Sequence, residues 1–394
     1  MARSVGANHV TLNFATWTVV QGKWPDAVIS NFEKANPNIT INFVGVPVDP
    51  SAITQAERVK FLAGDGLDIA AIRPEALTSF IKAGYLADLT TSGLVNGQRY
   101  IPNALTAATV KGHVYAVPGS ADAIGVWYNK DLFATLHLSV PTTWSQFLTV
   151  MAKIKASGTS PLVNGFRDGW PVEFDSYPFI QALQVKTPRI FENLDAGTVK
   201  YTDPRVVQTF SDINTFFKKG YSDPASLSLS FPQAANVFLQ RKAAMMIQGE
   251  WLAGVLVNPS FHLGVFPMPL PGLGSTHVVP VTIGDYLAIA ASTPHKAEAL
   301  KFLKFWYQQQ NQTTLVNVLQ HFSPLRSSQI PQSSILHLFT PLLALPNNNF
   351  FYSIQTPGVN AVMLKDLQSL YLGQIAPHQI AADLQNAQNR AGGA

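Results

Sequence analysis

The chain has 394 residues, 47% apolar and only 13% charged, with a net charge of +4 and no cysteine. Such a length exceeds one ordinary core and suits two or three domains of ~100–200 residues, and the apolar share excludes a disordered chain. The missing cysteines exclude disulfides, iron–sulfur clusters and thiolate zinc sites, and the dispersed positive charge gives no clustered basic face for nucleic acid.

The nine histidines show no HExxH or similar spacing, so neither a metal nor a cofactor is expected. No run of eighteen apolar residues is present to span a membrane.

Val10, Leu12 and Phe14 alternate with polar residues and predict a first strand. Val28, Ile29 and Phe32 then take helical spacing, and Pro37 stops that helix by disfavouring a helical Asn36. Ile39, Ile41 and Phe43 alternate again. Strand, helix, strand in this order is a βαβ unit with parallel strands. A helix over 52–63, a strand over 68–72 and a helix over 75–84 continue the pattern. The strand Ile69-Ala70-Ala71-Ile72 therefore delivers Arg73-Pro74-Glu75 at its carboxyl end, where ligands gather in doubly wound sheets. A charged helix start is the plainer alternative.

Farther on, two strand-like runs flank "GSADA" at 119–123. "PTTWSQFLTVMAKIKASG" predicts a helix with Thr142 or Thr143 as N-cap and Gly158 beyond its end. The stretch from Asp203 to about Val257 reads as helix-rich, and 263–292 as strand-like. Helices are expected again in "PHKAEALKFLKFWYQQQ" and after Pro357. "GLGSTH" lacks the terminal Lys-Ser/Thr of a phosphate loop and opens no helix.

Several segments in fixed order resemble one family. They are "GDGLDIAAIRPEALTSFIKAGYLADL" at 64–89, "YNKDLF" at 128–133 with "PTTW" at 141–144, "RKAAMMIQGEW" at 241–251, "LGVFPMP" with "PHKAEALKFLKF", and the closing "LQNAQNR". With these landmarks, covering nearly the whole length, the sequence is similar to the extracytoplasmic solute-binding proteins of ATP-driven sugar importers (family 1, maltose-binding-protein-like). The resemblance implies an α/β, two-lobe periplasmic-binding-protein fold of type II, with a ligand cleft between lobes joined by a hinge. Lobe one would be 9–120 plus 284–322 and lobe two 125–280 plus 326–394, with crossings near 120–124, 281–284 and 322–326.

The same resemblance assigns candidate ligand-binding residues. Glu75 occupies the position of a carboxylate that accepts sugar hydroxyls, and Arg73 would donate to the ligand or orient Glu75. Asp122 matches a second sugar-contacting acid at the first crossing, and Asp285 lies at the second. Trp251 stands where relatives place a stacking tryptophan, although a core tryptophan is the alternative. A pyranose presents a face of C–H bonds that packs on an indole while its hydroxyls stay free. Trp17 and Thr18 end the first strand, where relatives use polar contacts. Asp168 and Trp170 sit in a loop that carries acidic and aromatic contacts. Trp24, Trp127, Trp144 and Trp306 are assigned to packing.

The function implied is capture of a mono- to trisaccharide by a monomer, which hands it to the transmembrane permease subunits of an ATP-driven importer. A glycerophosphodiester or other polar solute is the alternative ligand. Glu173, Asp175 and Glu250 keep a glycoside hydrolase in view, but no pair spaced for that chemistry is evident, and no enzyme is expected. The start "MARSVGANHV" has no hydrophobic signal core, which fits either a cytoplasmic protein or an export segment already removed. The resemblance implies the latter, with an extracytoplasmic location, periplasmic or as a cell-surface lipoprotein. With 23 carboxylates in 394 residues, tolerance of acidic media is also expected.

Overall fold

The computed structural model describes residues 9–17, 25–46, 50–63, 66–97, 99–256, 258–276, 278–330, 334–343, 349–350, 356 and 358–392. Strand β1 (Val10–Thr16), helix α1 (Asp26–Ala35), β2 (Ile39–Gly45), α2 (Pro50–Ala63), β3 (Leu67–Ile72) and α3 (Pro74–Lys82) alternate at the start. The hairpin β4 (Thr109–Val110) and β5 (His113–Val114) precedes the long strand β6 (Val117–Asn129), then α4 (Lys130–Thr135) and α5 (Trp144–Ala156). Next come β7 (Ser160–Leu162), α6 (Val172–Lys186), α7 (Ile190–Asp195), α8 (Pro204–Phe217), α9 (Phe231–Leu239) and β8 (Ala243–Gly249). Strands β9 (Leu263–Phe266) and β10 (Pro280–Ile289) lead to α10 (Lys296–Trp306) and α11 (Gln309–Leu319). The chain ends with α12 (Thr340–Leu343), β11 (Asn349–Phe350), α13 (Val359–Tyr371) and α14 (Pro377–Gly392).

Two units share these elements. Unit 1 holds Met1–Ala121 and Ile283–Ser334, and unit 2 holds Asp122–Thr282 and Ile335–Ala394. Residues 326–334, expected in lobe two, group with unit 1. Hydrogen bonds explain the difference: Tyr100 bridges Leu325, Arg326 N donates to Arg99 O at 3.0 Å, and Gln309 Nε2 donates to Ser327 O at 2.9 Å.

In unit 1, β1 runs parallel to β2 and β3, and β10 pairs antiparallel with β3 from Tyr286 opposite Ile72 to Ile289 opposite Ile69. Strand β3 is buried on both faces, which is why it reads as an unbroken apolar run around Asp68. That aspartate is buried yet satisfied, accepting from Asn13 N at 2.8 Å and from the Thr293 hydroxyl. Pro74 at the first helical position then fixes its own φ and holds Arg73 extended, at φ −69° and ψ 146°. Strand becomes helix with no intervening loop. Arg73 and Glu75 are thereby set at the strand's carboxyl end.

In unit 2, β6 pairs antiparallel with β8 and β9, and β7 lies parallel to β8. The two runs expected on either side of "GSADA" form one strand. Gly119 is not in the positive-φ region, and Ala121 N donates to Phe322 O at 2.9 Å, so the small residues pass through extended backbone without a turn. Strand β8 likewise replaces part of the expected helix-rich stretch. Its Ala-Ala-Met-Met start favours helix in isolation, but pairing with β6 and β7 buries all seven residues and overrides that preference. Helix α5 starts at the Thr143–Gln146 capping box, and Gly158 beyond its end takes φ +84°.

Candidate functional site

Unit 1 gathers four charged side chains from three parts of the fold. Arg73 Nε donates to Glu75 Oε1 at 2.8 Å, and both side chains are half-buried, at 29% and 16% exposure. Asp285 on β10 accepts from Ser120 Oγ at 2.6 Å. A Cβ at position 119 would fall 2.6 Å from Asp285 Oδ2, so this carboxylate can lie there only because residue 119 is glycine.

The fourth is Glu57 on α2, which is fully buried, and neither of its carboxyl oxygens has a hydrogen-bond partner among the described residues. Burial, above all, holds its carboxyl well above the usual range. The negative charges of Glu75 and Asp285 act in the same direction, and Arg73 opposes them. Sequence reasoning missed Glu57, although the signal is present. Ile53, Glu57 and Phe61 recur every four residues on α2 and are all buried, so an acid stands on the helix's core face. Trp17 is half-buried just past β1, whereas Thr18 lies outside the described residues.

Unit 2 gathers aromatic rings. Trp251 and Trp170 are half-buried, with ring centroids 6.2 Å apart at 67°, and Phe174 lies 5.5 Å from each. Phe231 packs on Trp170 at 5.1 Å, and Tyr177 on Phe174 at 4.9 Å. Edge-to-face and tilted pairs of this kind fix one another's orientation. Asp168 accepts from Phe231 N, at the start of α9, at 2.8 Å, with Arg167 Nε 3.9 Å away. Near the start of unit 2, Asp122 is buried beside Glu250, with carboxyl oxygens of the two within 4.8 Å. Glu250 Oε2 accepts from Ala123 N at 2.8 Å.

The nine candidates thus divide. Arg73, Glu75 and Asp285 share one electrostatic neighbourhood in unit 1, which Glu57 joins. Trp170 and Trp251 share an aromatic cluster in unit 2, while Asp168 is tied to the base of that cluster through Phe231. Of the tryptophans assigned to packing, Trp127 and Trp306 are buried and Trp144 packs on Phe147, Phe179 and Phe216. Trp24 lies outside the described residues.

A further buried carboxylate follows Phe174 in the chain. Asp175 on α6 accepts from Asn164 Nδ2 at 2.6 Å and from the Ser222 hydroxyl, and Asn164 in turn accepts from Gln248 Nε2 at 2.7 Å. Burial pushes its carboxyl up to about 6 against those hydrogen bonds.

Comparison with known proteins adds kinship to geometry. The family model described as bacterial extracellular solute-binding protein matches residues 16–313. An ABC transporter extracellular-binding protein of Pyrococcus horikoshii is 29% identical over 299 residues, 73% of this chain and 67% of that protein. A binding protein of Brucella abortus is 27% identical over 397 residues, covering 97% of this chain and 93% of its own. The multiple sugar-binding protein of Streptococcus mutans is 27% identical over 288 residues, 71% of this chain and 66% of that one. Among solved structures, a chitin oligosaccharide binding protein superposes with TM-score 0.86 at 22% identity, covering 98% of this chain and 100% of the other. RafE in complex with raffinose does so with TM-score 0.76 at 23% identity, covering 97% and 99%. At these identities the likeness shows a shared α/β fold.

Proposed function

We propose that this chain, which belongs to the bacterial extracellular solute-binding protein family and has its type II fold, captures a carbohydrate of one to three sugar units and delivers it to an ATP-driven membrane importer. The protein is extracytoplasmic, as its family is, and no helix among the described residues is long and apolar enough to cross a membrane. It works as a monomer that binds without converting its ligand, and its partners are the permease subunits.

The observation that supports the reading is the side-chain chemistry that each unit gathers within itself. Carboxylates around one guanidinium suit ligand hydroxyls, since a hydroxyl donating to a carboxylate makes a charge-assisted bond worth ~1.5–3 kcal/mol. Half-buried indoles suit the C–H face of a sugar ring. A glycerophosphodiester fits less well, because, of the charges acting on Glu57, two (Glu75 and Asp285) are carboxylates and one (Arg73) is a cation. Relatives named for multiple sugars, maltotriose and glucose support a carbohydrate.

Binding of a small ligand at roughly micromolar strength corresponds to ~8 kcal/mol. Calorimetric titration with mono- to trisaccharides tests the reading, with reducing-end assays on the same mixtures. Saturable heat with no new reducing ends supports capture. Turnover would make the protein a hydrolase.

A further inference from the structure

We infer that Glu57 is a further ligand-contacting and specificity-determining residue: its buried, unpartnered carboxyl takes an oxygen of an uncharged carbohydrate as its hydrogen-bond partner. The inference deepens the carbohydrate reading above and rests on it. Three observations carry it. First, Glu57 is wholly buried with both oxygens unbonded among the described residues, and a polar group left so is destabilising, more so if charged. A fold keeps such a group only where something other than stability requires it. Second, the charged groups acting on it are the candidate ligand residues themselves, namely Arg73 at the β3–α3 junction, Glu75 on α3 and Asp285 on β10. Third, the flanking residues of its helix face, Ile53 and Phe61, are buried in the unit's core, so the backbone that presents Glu57 is anchored. Arg73 and Glu75, whose charges act on it, remain part-exposed.

The surroundings also set its proton state. Two carboxylates and burial oppose ionisation of Glu57, and one guanidinium already bonded to Glu75 does not offset them. The neutral form that these surroundings favour can donate one hydrogen bond to a ligand oxygen and accept another. Glu75 and Asp285 bring further carboxyl oxygens to the same cluster. A ligand that meets all three must present both an acceptor and several hydroxyl donors, which an uncharged sugar does and a cation does not.

The test compares Glu57→Gln and Glu57→Leu with the wild type, by calorimetric titration against the tightest sugar of the panel and by thermal unfolding without ligand. Glutamine keeps one donor and one acceptor, so its Kd should stay within about threefold of wild type, whereas leucine should weaken binding by at least tenfold. Equal losses in both variants would overturn the neutral-acid role. Unchanged affinity in the leucine variant would overturn the contact itself. Without ligand, Glu57→Leu should raise Tm by about 2–4 °C, because an unsatisfied group is replaced by an apolar one. A lower Tm would make Glu57 a structural residue and end the inference. If no sugar binds the wild type, the carbohydrate reading fails on its own, and the Tm comparison still decides whether Glu57 is held against stability.

Discussion

The indole of Trp251 occupies the space that a side chain on Gly249 would need: a Cβ at 249 would lie 2.0 Å from the ring. Gly249 ends β8, opposite Ile124 of β6, so the sheet itself fixes where the ring rests. Trp251→Ala should weaken sugar binding at least tenfold, roughly 1.4 kcal/mol, while circular dichroism stays native. Gly249→Ala should weaken binding as well without touching the ligand, because the ring must shift. Unchanged titrations in both folded variants would return Trp251 to a packing role.

Charge on the candidate ligand acids, Glu75 in unit 1 and Asp122 in unit 2, should matter more than charge elsewhere. Glu75→Gln and Asp122→Asn preserve shape, and each should cost roughly 1–3 kcal/mol of binding. Asp26→Asn and Asp383→Asn should change almost nothing. Four equal effects would mean the site lies elsewhere.

Gly119 permits Asp285 to lie against it and receive Ser120. Gly119→Ala should displace that carboxylate and weaken binding several-fold, with Ser120→Ala doing so less. Titration of the folded variants checks both. Wild-type affinity in Gly119→Ala would remove Asp285 from the ligand's contacts.

The pH profile of stability follows from opposing groups. The Asp175 carboxyl titrates at about 6 in the fold, above the ~3.9 of an unfolded aspartate, so the folded state holds the extra proton. Its favourable contribution is complete below about pH 4 and is lost as pH rises towards 6, a span of order 3 kcal/mol. Glu57 acts in the same direction. The exposed Asp88 and half-buried Asp203, lowered to about 2 by the hydrogen bonds of Thr90 and Arg205, act oppositely and lose their small contribution as pH falls from about 4 towards 2. Tm should therefore hold or rise from pH 7 to pH 4 and fall only below that. Asp175→Asn should flatten the rise. Cooperative unfolding already above pH 4 in circular dichroism would contradict this sign.

Local chemistry was legible where it decides conformation by itself. The period-two runs at 10–14 and 39–43, the Pro74 junction and the Thr143 cap each act within a few residues. What depends on partners distant in sequence was not. Strand β8 becomes a strand by pairing with β6, and residues from 326 onward join unit 1 through Arg99 and Gln309. Glu57 shows the same limit within the candidate site. Its helical register hints at burial, but only the fold brings it to Glu75 and Asp285.

Ligand capture is tested most directly by the wild-type protein's thermal unfolding across a panel of mono-, di- and trisaccharides, each at millimolar concentration. At a hundred times Kd, a bound sugar adds ~2.7 kcal/mol of stability, so at least one member should raise Tm clearly and saturably. A flat panel, with no sugar shifting Tm and none giving heat on titration, would contradict carbohydrate binding outright.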